Sequence, residues 1–204
     1  MKIYLIRHGR TSWNDGGKWQ GKTDIPLDSA GEAQSRALAR RLARLREPIK
    51  TIYSSDLIRA RRTAEIITET CGAEIVYLPE LREIDLGSWE GRTIDEISGL
   101  DGFDEWEANG RVAPHGGESF EQTRDRVTGA MYRIAAEQES DFAVVSHGTA
   151  IRLFIGHILE IPIAKKMSTV TYNAAFSVVR YDRETGRFSV ITVNDYCHLE
   201  DMGY

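Results

Sequence analysis

Two arginines, two histidines and a glutamate recur directly after short apolar runs in this 204-residue chain. Arg7-His8-Gly9 follows Ile3-Tyr4-Leu5-Ile6, and Ser146-His147-Gly148 follows Phe142-Ala143-Val144-Val145. Ser54-Ser55-Asp56 follows Thr51-Ile52-Tyr53, with Arg59 one turn further on. Leu81-Arg82-Glu83 comes a short way past the run at 75–78. Two guanidiniums can grip a phosphate dianion through paired, charge-assisted hydrogen bonds. A neutral imidazole held through one nitrogen can attack phosphorus with the other. A second imidazole, if protonated, would add positive charge beside the equatorial oxygens, and a carboxyl group could protonate the leaving oxygen and later activate water. Gly9 and Gly148 read as places where backbone comes close to the ligand. Histidine is also a common metal ligand. The chain has no HxH or HExxH spacing, however, and two arginines would repel a divalent ion. Neither a metal nor a cofactor is therefore expected.

These groups converge only if the apolar runs are strands ending at one edge, since open α/β sheets bind ligands at the carboxyl ends of their strands. The runs at 3–6, 51–53, 75–78 and 142–145 are short and rich in branched residues, as buried strands are. Runs at 175–181 and 187–193 flank Arg183-Glu184-Thr185-Gly186 and predict an antiparallel hairpin. Between them, Ala30, Ala33, Ala37, Leu38, Leu42 and Leu45 share a helical face, with Arg36, Arg40 and Arg44 opposite as a solvated surface. Phe120, Val127, Met131 and Ile134 mark a second amphipathic helix, and Ala60, Ala64 and Ile67 a third. Strands alternating with helices predict an α/β fold of three layers, a mostly parallel central sheet with helices on both faces. Residues 87–118, rich in Gly, Asp, Glu and Trp, interrupt the rhythm and predict a lid-like insertion capping the active-site end of one domain spanning 1–204.

A composition of 41% hydrophobic and 28% charged residues belongs to a soluble globular protein. The net charge of −5 argues against a general nucleic-acid binder, though it says nothing about one cleft. Cys71 and Cys197 stand far apart in no CxxC pattern, the usage of a reduced compartment. No signal peptide or membrane span is legible, so a cytoplasmic location is expected.

Five ordered segments resemble the histidine phosphatase superfamily, the phosphoglycerate-mutase-like fold. These are Leu5 to Asn14 around Arg7-His8-Gly9, Gln20 to Leu27, Ser54 to Ala60, Leu81 to Gly91, and Ser146-His147-Gly148. The resemblance implies His8 as the nucleophile, Arg7, Arg59 and His147 as phosphate ligands, and Glu83 as proton donor, with Asp85 or Glu90 as the carboxylates to test otherwise. It also implies substrate contacts from Asn14, Gln20, Gly21 and Gly148. Arg10 and Arg62 stand where many relatives carry other residues. Both read as surface changes, although Arg10 could bring charge near the pocket.

The acidic stretch at 95–107 lacks the arginine pair of the mutase branch, while Trp89-Glu90-Gly91 and His115 to Ser119 are similar to the phosphatase branch, α-ribazole and broad-specificity phosphatases above all. The expected activity is hydrolysis of a small phosphorylated metabolite, α-ribazole 5′-phosphate being one candidate. A cofactor-dependent phosphoglycerate mutase and a non-catalytic binding relative are the alternatives. No nucleic acid or membrane partner is expected, and a homodimer is the one assembly considered. Trp89, Trp106, His115 and the C-terminal tail are candidates for the pocket mouth. His157 and His198 read as structural or solvated, and Arg152 as serving an ion pair.

Overall fold

The computed structural model describes residues 1–166 and 168–202. Among them a six-stranded sheet runs in the order β3-β2-β4-β1-β5-β6. The strands are β1 (Lys2–Arg7), β2 (Thr51–Ser54), β3 (Glu74–Tyr77), β4 (Phe142–Ser146), β5 (Phe176–Asp182) and β6 (Arg187–Asp195). The first four are parallel, β5 lies antiparallel to β1, and β6 antiparallel to β5, so the expected hairpin closes one side of the sheet. Its turn ends at Gly186, whose φ of 66° lies in the left-handed region that glycine adopts freely.

Strands buried on both faces read as continuous apolar runs, and β1 shows why. Tyr4 and Ile6 point into one core, with Leu38 of α1 (Ser29–Leu42) and Ala64 of α2 (Ile58–Cys71). Ile3 and Leu5 point into the other, with Met131 of α3 (Phe120–Glu137) and Phe154 of α4 (Gly148–Ile158). Helices thus cover both faces. Asp28 caps α1 by accepting from the Gly31 N–H at 2.7 Å, and Ser119 with Gln122 forms a capping box on α3. The arginines at 36, 40 and 44 are exposed, as the helical pattern requires.

Segment 87–118 buries a separate apolar cluster in which Trp89, Phe103 and Trp106 meet Phe120 of α3 and Leu153 of α4. Trp106, fully buried, lies edge-on to Trp89 and 4.4 Å in ring-centroid distance from Phe120. Trp89 and Trp106 therefore pack the segment's interior instead of lining a pocket mouth, and His115 is exposed. No helix of the described residues is long and apolar enough to cross a membrane.

Register delivers the chemistry to one edge. Arg7 pairs with Ser146 and Ser54 with Val145, so the residues following β1, β2 and β4 emerge side by side. The His8 N–H then bonds the Ser146 carbonyl at 3.0 Å and the Ser55 N–H bonds that of Val145 at 2.9 Å, extending the ladders into the loops.

Candidate active site

A cavity of about 260 Å³ opens at that edge. Arg7, His8, Asn14, Gln20, Arg59 and Glu83 all contribute to its wall, together with Gly21. His147 and Gly148, expected at the site, are not part of its wall; the imidazole of His147 is fully buried, its ring centroid 5.1 Å from that of His8.

His8 Nδ1 lies 2.7 Å from the Gly9 carbonyl oxygen, which can only accept, so Nδ1 carries the proton and Nε2 keeps its lone pair. Burial, reinforced by the charges of Arg59 and Arg7, holds the His8 pKa well below the usual histidine value, so the ring is neutral. The loop is held from behind. The Gly9 N–H donates to Thr63 Oγ1 at 3.0 Å, and Asn173 Nδ2 bonds the carbonyls of His8 at 3.1 Å and Gly9 at 3.4 Å. Gly9 has its own reason to be glycine, since a Cβ there would come 2.4 Å from the Gly31 carbonyl of α1. That close packing of loop on helix requires glycine there whatever the ligand approach expected of it.

His147 differs from expectation. Arg59 Nε donates to its Nδ1 at 3.2 Å, so the remaining proton sits on Nε2, 2.8 Å from Ser55 Oγ. Both ring nitrogens are thus engaged in a neutral imidazole, and burial followed by the Arg59 charge pushes its pKa well below normal. The positive charge resides instead on the guanidiniums. Arg59, fully buried, also donates to the carbonyls of Gly21 and Thr23, each at 2.7 Å, and burial lowers its pKa to about 10. Arg7 donates through Nη1 to the Thr171 carbonyl at 2.6 Å.

The Glu83 carboxyl group sits at the N-terminus of α4, against that helix's first backbone N–H groups. Its Oε1 accepts from Ile84 N at 3.0 Å and Ala150 N at 3.1 Å, and its Oε2 from Thr149 N at 3.1 Å. Oε1 is thereby saturated, and the open position of the group is on Oε2. Asp85 and Glu90, the reserve carboxylates, have other partners. Asp85 pairs with Lys22, and Glu90 accepts from the backbone N–H groups of Lys22 and Thr23 at 2.9 and 3.0 Å and from the Thr23 hydroxyl. Gly21 has φ 51°, and a Cβ there would collide with the Glu90 carboxylate at 2.0 Å, so glycine lets this clamp close.

Asn14 caps its own helical turn with Oδ1, accepting from Thr11 N at 3.2 Å and Asn173 Nδ2 at 3.2 Å, which leaves its amide nitrogen as the donor end at the cavity. Gln20 Oε1 is buried with no hydrogen-bond partner among the described residues. Arg152 also lines the cavity, beyond the ion-pairing role expected for it. Arg10 is neutralised by Asp15 at 2.7 Å and Asp28 at 2.9 Å, and Arg62 by Glu32 and Glu69 at 3.2 and 3.3 Å, so both are surface changes. His198 bonds the Ala174 carbonyl at 3.0 Å and stacks on Phe176. The tail at Cys197–Met202 buries Leu199 in the α1 face of the core, away from the cavity, while Gly203 and Tyr204 lie outside the described residues. Among the described residues, no three His, Cys, Asp or Glu side chains cluster so as to hold a metal ion.

Sequence reasoning missed Asn173 and Thr63, which orient the loop of His8, and gave no role to Ser55. Ser55 lies within the Ser54 to Ala60 segment, but the other two carry no local signal, since their meaning arises only when distant loops meet.

Paired guanidiniums around a neutral, oriented imidazole define a phosphoryl-handling α/β protein. Residues 3–195 match the histidine phosphatase superfamily (branch 1), and the chain belongs to it. It is 34% identical to a probable phosphoglycerate mutase GpmB of Serratia proteamaculans, over 98% of this chain and 95% of that protein. Among solved structures it is similar to an Entamoeba histolytica phosphoserine phosphatase in complex with 3-phosphoglyceric acid, with TM-score 0.87, 28% identity, and 97% and 98% of the two chains covered. It is also similar to a mycobacterial glucosyl-3-phosphoglycerate phosphatase in complex with VO3, with TM-score 0.84, 29% identity, and 95% and 98% covered. An α-ribazole phosphatase from Shigella flexneri shares the fold at TM-score 0.84 and 24% identity, with 96% and 97% covered.

Proposed function

We propose that the chain hydrolyses small phosphomonoesters through a phosphohistidine at His8. The observation that carries this reading is the 2.7 Å bond from His8 Nδ1 to the Gly9 carbonyl, which leaves Nε2 as the nucleophile in a cavity shared with Arg7 and Arg59. The Nε2 lone pair attacks phosphorus and the P–O ester bond breaks, the leaving oxygen taking a proton from Glu83, which enters this step protonated on Oε2. Arg7 and Arg59 offset charge on the transferring group. Water then attacks phosphorus and gives a proton to the Glu83 carboxylate, while the N–P bond breaks, its electron pair returning to His8 Nε2, and phosphate is released. Asn14 and Gln20 add polar contacts at the wall, and a Cβ at Gly148 would crowd the guanidinium of Arg152, coming 3.2 Å from its Nη2. The phosphatase names of two structural neighbours support this reading.

The GpmB relative favours a second reading, phosphoglycerate mutase. A screen over phosphoserine, 3-phosphoglycerate, sugar phosphates and α-ribazole 5′-phosphate separates the two. Release of inorganic phosphate is the expected result, insensitive to EDTA and inhibited by vanadate. Interconversion of 3- and 2-phosphoglycerate without phosphate release would establish the mutase instead.

A further inference from the structure

We propose that His198, on the C-terminal tail, is a positioning residue for the nucleophile and acts on it through the loop 171–174. This rests on the reading of His8 as the nucleophile and adds to it a group that lies outside the cavity.

The loop just before β5 is held from two sides. On its inner side the Ala174 N–H reaches the carbonyls of Arg7 and His8, each at 3.1 Å. The Thr171 carbonyl accepts from Arg7 Nη1, and the Asn173 amide holds the backbone of His8 and Gly9. On its outer side stand the end of β6 and the tail. Asn194 Oδ1 accepts from the Tyr172 N–H at 2.7 Å, and the rings of Tyr172 and Tyr196 meet edge-on at 5.0 Å. His198 Nε2 lies 3.0 Å from the Ala174 carbonyl oxygen.

Ala174 is the pivot between the two sides. It is fully buried with φ 56°, in the left-handed region that a residue with a Cβ occupies only where its surroundings over-determine it. Its N–H is held by the backbone of the nucleophile and its carbonyl by His198. A carbonyl oxygen only accepts, so His198 Nε2 carries the proton. Nδ1 is buried without a hydrogen-bond partner among the described residues, and burial lowers the pKa of the ring. The ring is itself fixed, stacked on Phe176 at 6.0 Å between centroids, while the next residue, Leu199, is fully buried in the core beside α1.

Without the His198 donor, a buried carbonyl would lose its partner beside a strained φ, and both costs are relieved if Ala174 relaxes towards the right-handed region. That relaxation redirects the Ala174 N–H away from Arg7 and His8. The displaced backbone carries the Gly9 carbonyl, the acceptor that orients the His8 ring. His198 touches no reacting atom, so the effect falls on the placing of His8 and not on the capture of substrate.

The test compares two variants on p-nitrophenyl phosphate, at a temperature where circular dichroism shows both fully folded. His198→Phe keeps a ring to stack on Phe176 and removes the donor. His198→Gln removes the ring and keeps an N–H able to reach the Ala174 carbonyl. His198→Phe should lower kcat by about 10- to 100-fold with KM within about threefold of wild type, the pattern of a misplaced reacting group. The rate at which the acid-labile phosphoenzyme forms in a single turnover should fall with it. His198→Gln should hold kcat within about fivefold of wild type. Unchanged kcat in His198→Phe, equal losses in the two variants, or a loss confined to KM would overturn the proposal and leave His8 as the nucleophile. A wild type that forms no phosphohistidine would remove the reading of His8 and this inference with it.

Discussion

Asn173 donates from its side-chain amide to the carbonyl oxygen of His8 at 3.1 Å, joining residues 165 positions apart in the chain. The same nitrogen reaches Gly9 O, the acceptor of the His8 ring, and Asn14 Oδ1. One buried amide therefore sets the backbone that fixes the nucleophile's tautomer, and also the side chain placed to meet the phosphate. Asn173→Ala should lower kcat by about 10- to 100-fold with little change in KM, as expected when a reacting group is misplaced by a fraction of an ångström. Steady-state kinetics would check this, and a change confined to KM would place Asn173 in binding and not in positioning.

The covalent step has a direct readout. Rapidly quenched enzyme should carry an acid-labile phosphoryl group, absent from His8→Ala, and turnover should fall by about 10³- to 10⁶-fold. Phosphohistidine is visible by ³¹P NMR under alkaline conditions. Near-wild-type turnover in His8→Ala would refute the mechanism.

Most of the fold was legible because each strand is a branched apolar run and each helix keeps its period. Arg7, His8 and His147 stand out because they lie at strand ends, while Arg59, in the helix after β2, and Glu83, beyond a turn after β3, stand out only with the ordered motifs around them. What local reading could not supply was the third dimension. The protonation of His147 depends on Arg59 reaching it across 88 positions, and that contact turns an expected cation into a neutral ring. Trp89 and Trp106 looked equally suited to a pocket rim or a core, and only packing against Phe120 decides for the core. Arg152 is a long, flexible cation whose direction its neighbours set, so its place at the cavity could not be read from spacing.

Buried neutral histidines couple the site to stability. His8 and His147 both have folded pKa values well below their unfolded value, chiefly from burial. Protons therefore favour the unfolded chain once the pH falls below the unfolded value of about 6.5. The stabilisation is fully present above that pH and is lost progressively beneath it, down to the folded pKa. Each histidine contributes a slope of up to about 1.4 kcal/mol per pH unit in that window. Urea unfolding at pH 7.5, 6.5 and 5.5 should show this loss for the wild type. A variant with His8→Ala should show a shallower dependence, and an unchanged slope would mean that His8 is not neutral in the fold.

Proton donation and phosphate binding separate by leaving group. Glu83 presents Oε2 as its open position, so its contribution falls on the departing oxygen and should grow with that oxygen's basicity. General acid catalysis is worth about 10²- to 10⁴-fold, and p-nitrophenolate needs little of it. Glu83→Gln should slow phosphoryl transfer from an alkyl phosphate by that factor while leaving p-nitrophenyl phosphate within about tenfold of wild type. Arg59→Ala should impair both esters alike, because both present the same phosphate. It should also loosen the loop carrying Gly21 and Thr23, whose carbonyls Arg59 holds. The comparison must be made in single turnover, since Glu83 also takes the proton from water afterwards and would slow dephosphorylation equally for the two substrates. Equal losses in the first step would remove Glu83 from proton donation. Asp85 and Glu90 are poor substitutes for that role, one engaged by Lys22 and the other by the backbone of the loop it clamps, so such a result would point to a solvent proton.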